Sequence, residues 1–164
     1  PPPSSPPLPY PPRFRPTASA RNGLIPDRSP LPNGAASIAG VGFGLTAYGI
    51  GAERGYITRQ QAADRTLTTL RFLIGLPQND KVSGAAGYKG FFYHFLDPNT
   101  GLRVADWSEL SSVDTTLLMG GVLFSQSYYD RDTAQEKEIR DIADRLYRRI
   151  DCTWLKAQGP WLSM

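Results

Sequence analysis

The sequence predicts a mainly all-α fold, built of helical hairpins with one short β-hairpin. Apolar residues recur at helical spacing in four segments, and a serine or threonine suited to capping a helix stands at the start of each. A turn with proline and glycine interrupts the pattern between the second and third segments. The chain has 164 residues, 40% of them hydrophobic and 20% charged, so it can form one domain with a packed core.

Charge and composition exclude several classes of function. The net charge of +3 is small, and the basic residues are dispersed or alternate with acids, which does not favour a nucleic-acid partner. No apolar stretch is long enough to span a bilayer, and no signal peptide is recognisable in this chain. Cys152 is the single cysteine, so no internal disulfide is possible, and we expect it to be buried or half-buried.

The amino-terminal segment, residues 1–21, is rich in proline and is predicted to be a disordered or polyproline II tail or linker. Its PPLPYPP stretch could make a weak contact with an aromatic groove of a partner protein, although a plain spacer is the simpler interpretation. Asp27 and Arg28 follow in an irregular, proline-punctuated segment. They form either a local ion pair or a polar pair at the entrance of a cleft.

The first two helices have clear starts. Ser37 can cap a helix over residues 37–53 that is unusually rich in glycine, and this predicts that another backbone packs very close to it. Its GVGFG stretch has neither a preceding strand nor a following lysine, so it is not a phosphate-binding loop. Thr58 and Gln61 form a capping box that opens a second helix to about Ile74.

The stretch from Gly84 to Phe124 combines an aromatic run with a later acidic cluster. We expect the aromatic run to form a strand that ends at the turn Asp97–Gly101 and pairs with residues 102–105. Aromatic rings beside carboxylates suit a sugar-binding cleft, because rings cover the apolar faces of a pyranose and carboxylates accept hydroxyl hydrogen bonds or move protons. A half-buried strand followed by a helix cap, Ser111 with Asp114, is the alternative interpretation.

Two further helices follow. The third is predicted to begin near Ser111 and to end near Tyr129, apolar on most of its circumference and therefore deeply buried. The fourth opens at Thr133, with Glu136 completing a capping box, and carries one apolar stripe to Ile150.

Four of these motifs together resemble a known family. GLIPDR, ASIAGVGFGLTAYGIGAERGYITRQQAADRTLTTLRF, GYKGFFYHFLDPNTGLR and ELSSVDTTLL are similar to the bacterial glucoamylase-like domain family, which includes endo-β-1,2-glucanases. The resemblance implies an (α/α)6 toroid, of which residues 22–164 would be the amino-terminal part. It also implies hydrolysis of a glucan oligo- or polysaccharide with β-1,2 linkages, without metal or cofactor, and a periplasmic or exported location. The family's YxE-type general acid would then lie beyond residue 164.

The resemblance, together with the helix-start argument, makes Glu109 and Asp114 the candidate catalytic residues. Both stand at the positive end of the third helix, which favours an ionised carboxylate suited to binding sugar hydroxyls or positioning water. The candidate substrate-binding residues are Tyr88, Lys89, Tyr93, His94, Trp107, Asp27 and Arg28. A part of a toroid would leave apolar faces of the first and third helices without partners. A noncatalytic helical module that binds a glycan or a protein is the alternative function.

Overall fold

A computed structural model describes residues 18–28, 34–81, 83–104 and 107–156. The four predicted helices are all present, as two helical hairpins: α1 (Ile38–Glu53), α2 (Arg59–Gly75), α3 (Ser112–Tyr128) and α4 (Ala134–Arg148). The predicted tail and its protein contact fall almost entirely on residues 1–17, outside the described residues. Among the described residues, no helix combines the length and hydropathy needed to cross a membrane.

Side-chain caps fix where the helices begin. The Ser37 hydroxyl accepts a hydrogen bond from the Gly40 amide, and Thr58 and Gln61 form a complete reciprocal capping box. Thr133 accepts from the Glu136 amide, but the Glu136 carboxylate turns towards Arg59 instead of returning to the cap. The capping box predicted for α4 is therefore only half formed.

The core lies where α1 packs on α3 and α2 packs on α4. The α1–α3 contact depends on two glycines that face each other, since a Cβ on Gly121 would lie 2.7 Å from the carbonyl carbon of Gly42. The close backbone approach predicted from the glycines of the first helix is confirmed. Buried apolar side chains of all four helices surround this contact, among them Leu45, Leu70, Leu118, Val122, Ile139 and Leu146.

The expectation that the third helix is deeply buried is only partly correct. Leu118 and Val122 are fully buried, whereas Val113 and Leu117 are exposed. On α1, Phe43 is 65% exposed. Apolar residues on both helices thus lie at the surface among the described residues.

In the described part of the chain, the strands form two small sheets rather than the single predicted hairpin. The strands are β1 (Ala36–Ser37), β2 (Gly87–Tyr88), β3 (Phe91–Tyr93), β4 (Phe95–Leu96) and β5 (Leu110–Ser111). The central strand β3 pairs antiparallel with β2 and with β5, while β4 pairs with β1. The predicted hairpin survives as one isolated bridge between Leu96 and Arg103.

The prediction for Cys152 is wrong, because this residue is exposed. It lies in the turn that follows α4, where the apolar stripe of the helix has already ended. A small apolar side chain at such a position has no core to enter.

A buried ion pair joins the amino-terminal ends of α2 and α4. Arg59 contacts Glu136 through two hydrogen bonds of 2.8 and 2.9 Å, and the Glu136 side chain is only 6% exposed. Arg59 also donates to the Tyr128 carbonyl, and the Glu136 carboxylate accepts from the Arg131 amide. The Arg59 hydrogen bond holds the pKa of Glu136 below its usual value.

We expect Glu136→Gln to lower the free energy of unfolding by about 2 kcal/mol at pH 7, because it removes a buried charge-assisted contact. A carboxyl with a lowered folded-state pKa stabilises the protein above its unfolded pKa, near 4.3, and loses this effect as pH falls through its folded pKa. The difference between wild type and variant in urea unfolding should therefore shrink below about pH 4. Glu138→Gln, which alters a more exposed pair with Arg71, is the control. Equal stabilities at pH 7 would contradict the prediction.

Candidate active site

The pairing of β3 with β5 brings together residues that are distant in sequence. Phe92 lies opposite Ser111 and Tyr93 opposite Leu110, and the His94 amide then donates to the Glu109 carbonyl at 2.9 Å. This register places the His94 side chain beside Glu109. Because Ser111 is also the cap of α3, the same strand end positions Asp114 in the first turn of that helix.

His94 lies between two carboxylates. Its Nδ1 is 2.7 Å from Oε1 of Glu109, and its Nε2 is 3.5 Å from Oδ1 of Asp114. The second Asp114 oxygen accepts a 2.5 Å hydrogen bond from the Ser111 hydroxyl. The Glu109 side chain is 60% exposed, whereas that of Asp114 is 14% exposed. One carboxylate of this His94 cluster (His94, Glu109 and Asp114) is therefore open to solvent and the other is held inside.

The pKa of Glu109 lies below its ordinary value, as expected, but for a different principal reason. Its own backbone amide is the largest cause, and the hydrogen bond and charge of His94 add to it, while partial burial opposes both. The positive end of α3 was the expected cause of the lower pKa, whereas the observed causes are the Glu109 amide and His94. Either way, Glu109 is an ionised carboxylate and not a proton donor at neutral pH.

The His94 cluster offers one nitrogen and two carboxylate oxygens within 4.8 Å of one another, a donor set that could hold a metal ion. The shortest contact, however, joins His94 directly to Glu109. In this arrangement Nδ1 of His94 is hydrogen-bonded to Glu109, whereas its Nε2 lies 3.5 Å from Asp114.

An aromatic surface continues from the cluster. The His94 ring stacks on Phe95 with centroids 3.8 Å apart, and Phe95 contacts Trp107 at 5.4 Å. Trp107 is 62% exposed, so a large ring face is available to solvent beside the carboxylates. Tyr93, on the neighbouring strand position, has the Arg103 guanidinium 4.5 Å from its ring centre.

Three residues of this region were not predicted. Phe95 lies in the aromatic run and its part in the stack was in principle recognisable. The Ser108 hydroxyl accepts from the Phe95 amide and donates to the Phe95 carbonyl, and the Arg103 side chain donates to the Ser108 carbonyl. These contacts hold the loop that carries Trp107 and Glu109. No sequence motif predicts them.

The other candidate residues lie elsewhere. Tyr88 and Lys89 form the tip of the β2–β3 hairpin and contact the chain after α4, with Lys89 3.1 Å from Asp151 and Tyr88 packed edge-on against Trp154. A further two, Asp27 and Arg28, form the predicted local ion pair at 3.4 Å. Neither pair contacts the His94 cluster, and their part in substrate binding stays a prediction.

A surface depression of about 280 Å³ also lies apart from the His94 cluster. It is bounded by the segment Ser19–Gly23 and by polar side chains of α1 and α2, including Tyr48 and Arg65. No pair of carboxylates converges there. The chemistry of the side chains, and not the size of the depression, identifies the candidate site.

No protein-family model matches the chain. Similarity to individual proteins nevertheless covers most of it. A candidate glucoamylase from Bacteroides uniformis has a structure that matches 89% of this chain and 34% of its own, with a TM-score of 0.78 and 28% identity. The predicted resemblance to glucoamylase-like proteins and the predicted fold, part of an (α/α)6 toroid, are confirmed.

The similarity extends to particular enzymes of β-1,2-glucans. The exo β-1,2-glucooligosaccharide sophorohydrolase of Parabacteroides distasonis is 32% identical over 143 residues, which are 85% of this chain and 19% of that protein. The structure of the Chitinophaga pinensis endo-β-1,2-glucanase, in complex with sophorotriose and glucose, matches with a TM-score of 0.76 and 25% identity over 91% of this chain and 36% of that one. The chain therefore spans about a fifth to a third of the length of these relatives.

Proposed function

We propose that this chain is part of a glycoside hydrolase that acts on β-1,2-glucan. The observation that carries the proposal is the His94 cluster, in which a solvent-exposed carboxylate and a shielded one share one imidazole beside an exposed tryptophan. The names of the similar proteins supply the substrate class and the linkage. Both the cluster and the relatives are compatible with carboxylate acid–base hydrolysis.

We assign Glu109 the role of binding the reacting water or a sugar hydroxyl. Its lowered pKa keeps it ionised, and its exposure leaves the carboxylate accessible to a ligand. Asp114 is more shielded and accepts from Ser111, so it holds His94 from the opposite side. His94 in turn fixes the rotamer of Glu109 through the 2.7 Å contact.

The proton donor must come from another segment in this proposal. A general acid requires a raised pKa, and the pKa of Glu109 is shifted in the opposite direction. Asp114 lies on the other side of the His94 ring from Glu109 and is bound by the Ser111 hydroxyl, so we assign it to positioning and not to proton donation. Hydrolysis with acid catalysis needs a second carboxyl group across the scissile bond.

Trp107 and Phe95 are the surface that we assign to the sugar. An aromatic face packs against the apolar C–H face of a pyranose, while the adjacent carboxylate accepts its hydroxyl hydrogen bonds. Tyr93 borders this surface, and Tyr88, Lys89, Asp27 and Arg28 would contact only more distant sugar units.

The test is an assay of the protein encoded by the complete open reading frame that contains this chain. We expect it to release sophorose or longer β-1,2-linked oligosaccharides from β-1,2-glucan and to leave β-1,3- and β-1,4-glucans intact. A well-folded protein that binds β-1,2-glucan but hydrolyses no glucan would contradict the proposal and favour the noncatalytic binding module.

A further inference from the structure

Arg149, just after α4, carries a guanidinium that uses only part of its hydrogen-bonding capacity. Its Nη1 donates to the Ile74 carbonyl at 3.4 Å, near the carboxyl end of α2, and its Cζ lies 5.8 Å from the centre of the Phe92 ring. Both contacts favour a cation, since the end of the helix is partially negative and the ring face is electron-rich. Its Nε and Nη2 atoms are buried and have no hydrogen-bond partner among the described residues.

A second buried donor lies on the same face of the hairpin. Gln78 accepts from the Gly90 amide through its oxygen, but its Nε2 has no partner in the described part of the chain. This nitrogen lies 2.9 Å from the place where a Cβ on Gly87 would stand, and Gly87 pairs directly with Phe92. Directly opposite side chains of an antiparallel pair share one face of the sheet. The Gln78 amide and the Arg149 guanidinium therefore both border the Phe92 side of the hairpin.

The charge near these donors is positive. Burial, and secondarily the charge of Arg145, lowers the pKa of Arg149, and no described carboxylate forms an ion pair with it. The nearest acid along the chain, Asp151, accepts from Lys89 through one oxygen and from Thr153 and Trp154 through the other. All three unpartnered atoms are donors, and burying donors without an acceptor is costly, most of all on a charged group.

Two other arginines of this chain show which chemical group fits the guanidinium edge formed by Nε and Nη2, the edge that in Arg149 has no partner among the described residues. Arg59 holds Glu136, and Arg71 holds Glu138, each through its Nε and Nη2 atoms at 2.7 to 2.9 Å. This edge of a guanidinium matches the two oxygens of a carboxylate. In Arg149 the same two atoms are the ones without a partner.

We propose that the Nε–Nη2 edge of Arg149, together with the Gln78 amide, is a binding site for a small carboxylate ligand. The carboxylate accepts two hydrogen bonds from Arg149 and one from Gln78, and it supplies the negative charge that the described residues do not. This site lies at the junction of α2, the β2–β3 hairpin and the end of α4. It is independent of the His94 cluster and of the proposed hydrolase activity.

The experiment compares the melting temperature of the chain in sodium formate and in sodium chloride at equal ionic strength. Formate is the probe, and we expect the melting temperature to rise by about 5 °C for each tenfold increase in formate above its dissociation constant, with a smaller rise in chloride. Arg149→Lys keeps the charge but removes the planar edge, so the formate-specific rise should disappear. Arg148→Lys is the matched control, because Arg148 is exposed and pairs with Asp144.

A second measurement does not depend on the stability of a variant. In protein labelled with ¹⁵N-arginine, formate should shift the Nε–H signal of Arg149 in a saturable manner and leave that of Arg148 unchanged. Gln78→Leu should weaken formate binding severalfold in the same titration. Identical melting curves in the two salts, with no saturable shift of the Arg149 signal, would overturn the proposal and leave water as the acceptor.

Discussion

Glu109→Gln is expected to lower the rate of β-1,2-glucan hydrolysis at least tenfold in the protein encoded by the complete open reading frame. Loss of a positioned base costs about 10²- to 10⁴-fold in general acid–base catalysis, and an amide cannot take a proton from water. The substitution keeps the size of the side chain and an oxygen that can accept from His94, so the cluster should stay assembled. kcat is therefore expected to fall more than KM rises.

Asp114→Asn should also lower kcat at least tenfold, although Asp114 acts through His94. An asparagine oxygen can still accept from the Ser111 hydroxyl, but the amide leaves His94 with a carboxylate on one side only. If Asp114 positions His94, the double variant with Glu109→Gln should lose less transition-state stabilisation than the two single variants lose together.

The control for both variants is Glu138→Gln, an equivalent change on α4 at the pair with Arg71, which should leave kcat unchanged. Melting temperatures of all variants must be compared with that of wild type, since a cap residue can also affect stability. Wild-type kinetics in Glu109→Gln and Asp114→Asn would show that the two carboxylates act only as ion-pair and capping groups.

The helices could be predicted because their determinants are local. Thr58 and Gln61 are three residues apart, and both halves of their capping box depend only on the first turn of α2. Glu136 has the same spacing from Thr133, yet its carboxylate binds Arg59, which is 77 residues away in the sequence. Here a tertiary ion pair competes with the local motif, and only the structure reveals which of the two partners prevails.

The candidate site could be predicted only in part, because some of its determinants are local and others are tertiary contacts. Glu109 and Asp114 were recognisable from the helix start and from the family resemblance, and His94 from the aromatic run. The His94 imidazole lies between both carboxylates because of the β3–β5 register. The alternation of apolar and polar residues along a single strand cannot specify this register. Tyr88 and Lys89 were candidates for the same sugar site as His94, whereas the hairpin turn places them beside Asp151 and Trp154.

The apolar surface of α3 is a further case where sequence and structure differ for a physical reason. Val113 and Leu117 continue the apolar pattern of a buried helix, and both are exposed. The chain spans only about a third of the length of the similar solved structures. Phe43 on α1 is exposed as well, so an apolar residue at helical spacing does not by itself predict burial.

Gly121→Ala is expected to lower the free energy of unfolding by about 3 kcal/mol, or roughly 10 °C in melting temperature. A methyl group at this position would meet the backbone of Gly42, which cannot rotate away as a side chain could. Gly120→Ala is the matched control one residue earlier, where a Cβ meets no atom within 4 Å. That variant should be more stable than wild type by up to about 1 kcal/mol, because alanine favours the helix.

The contrast between these neighbouring glycines tests whether the α1–α3 contact positions the candidate site. α3 begins at Ser112, and its first turn carries Asp114, so a displacement of α3 from α1 would also move Asp114 relative to His94. In Gly121→Ala we therefore expect the midpoint of urea unfolding to fall to a lower urea concentration. We also expect the NMR signal of the His94 ring to change in the folded protein. Gly120→Ala should leave that signal unchanged. Equal stability of the two variants would contradict the close glycine contact. An unchanged His94 signal in a destabilised Gly121→Ala would show that the α1–α3 contact does not position the candidate site.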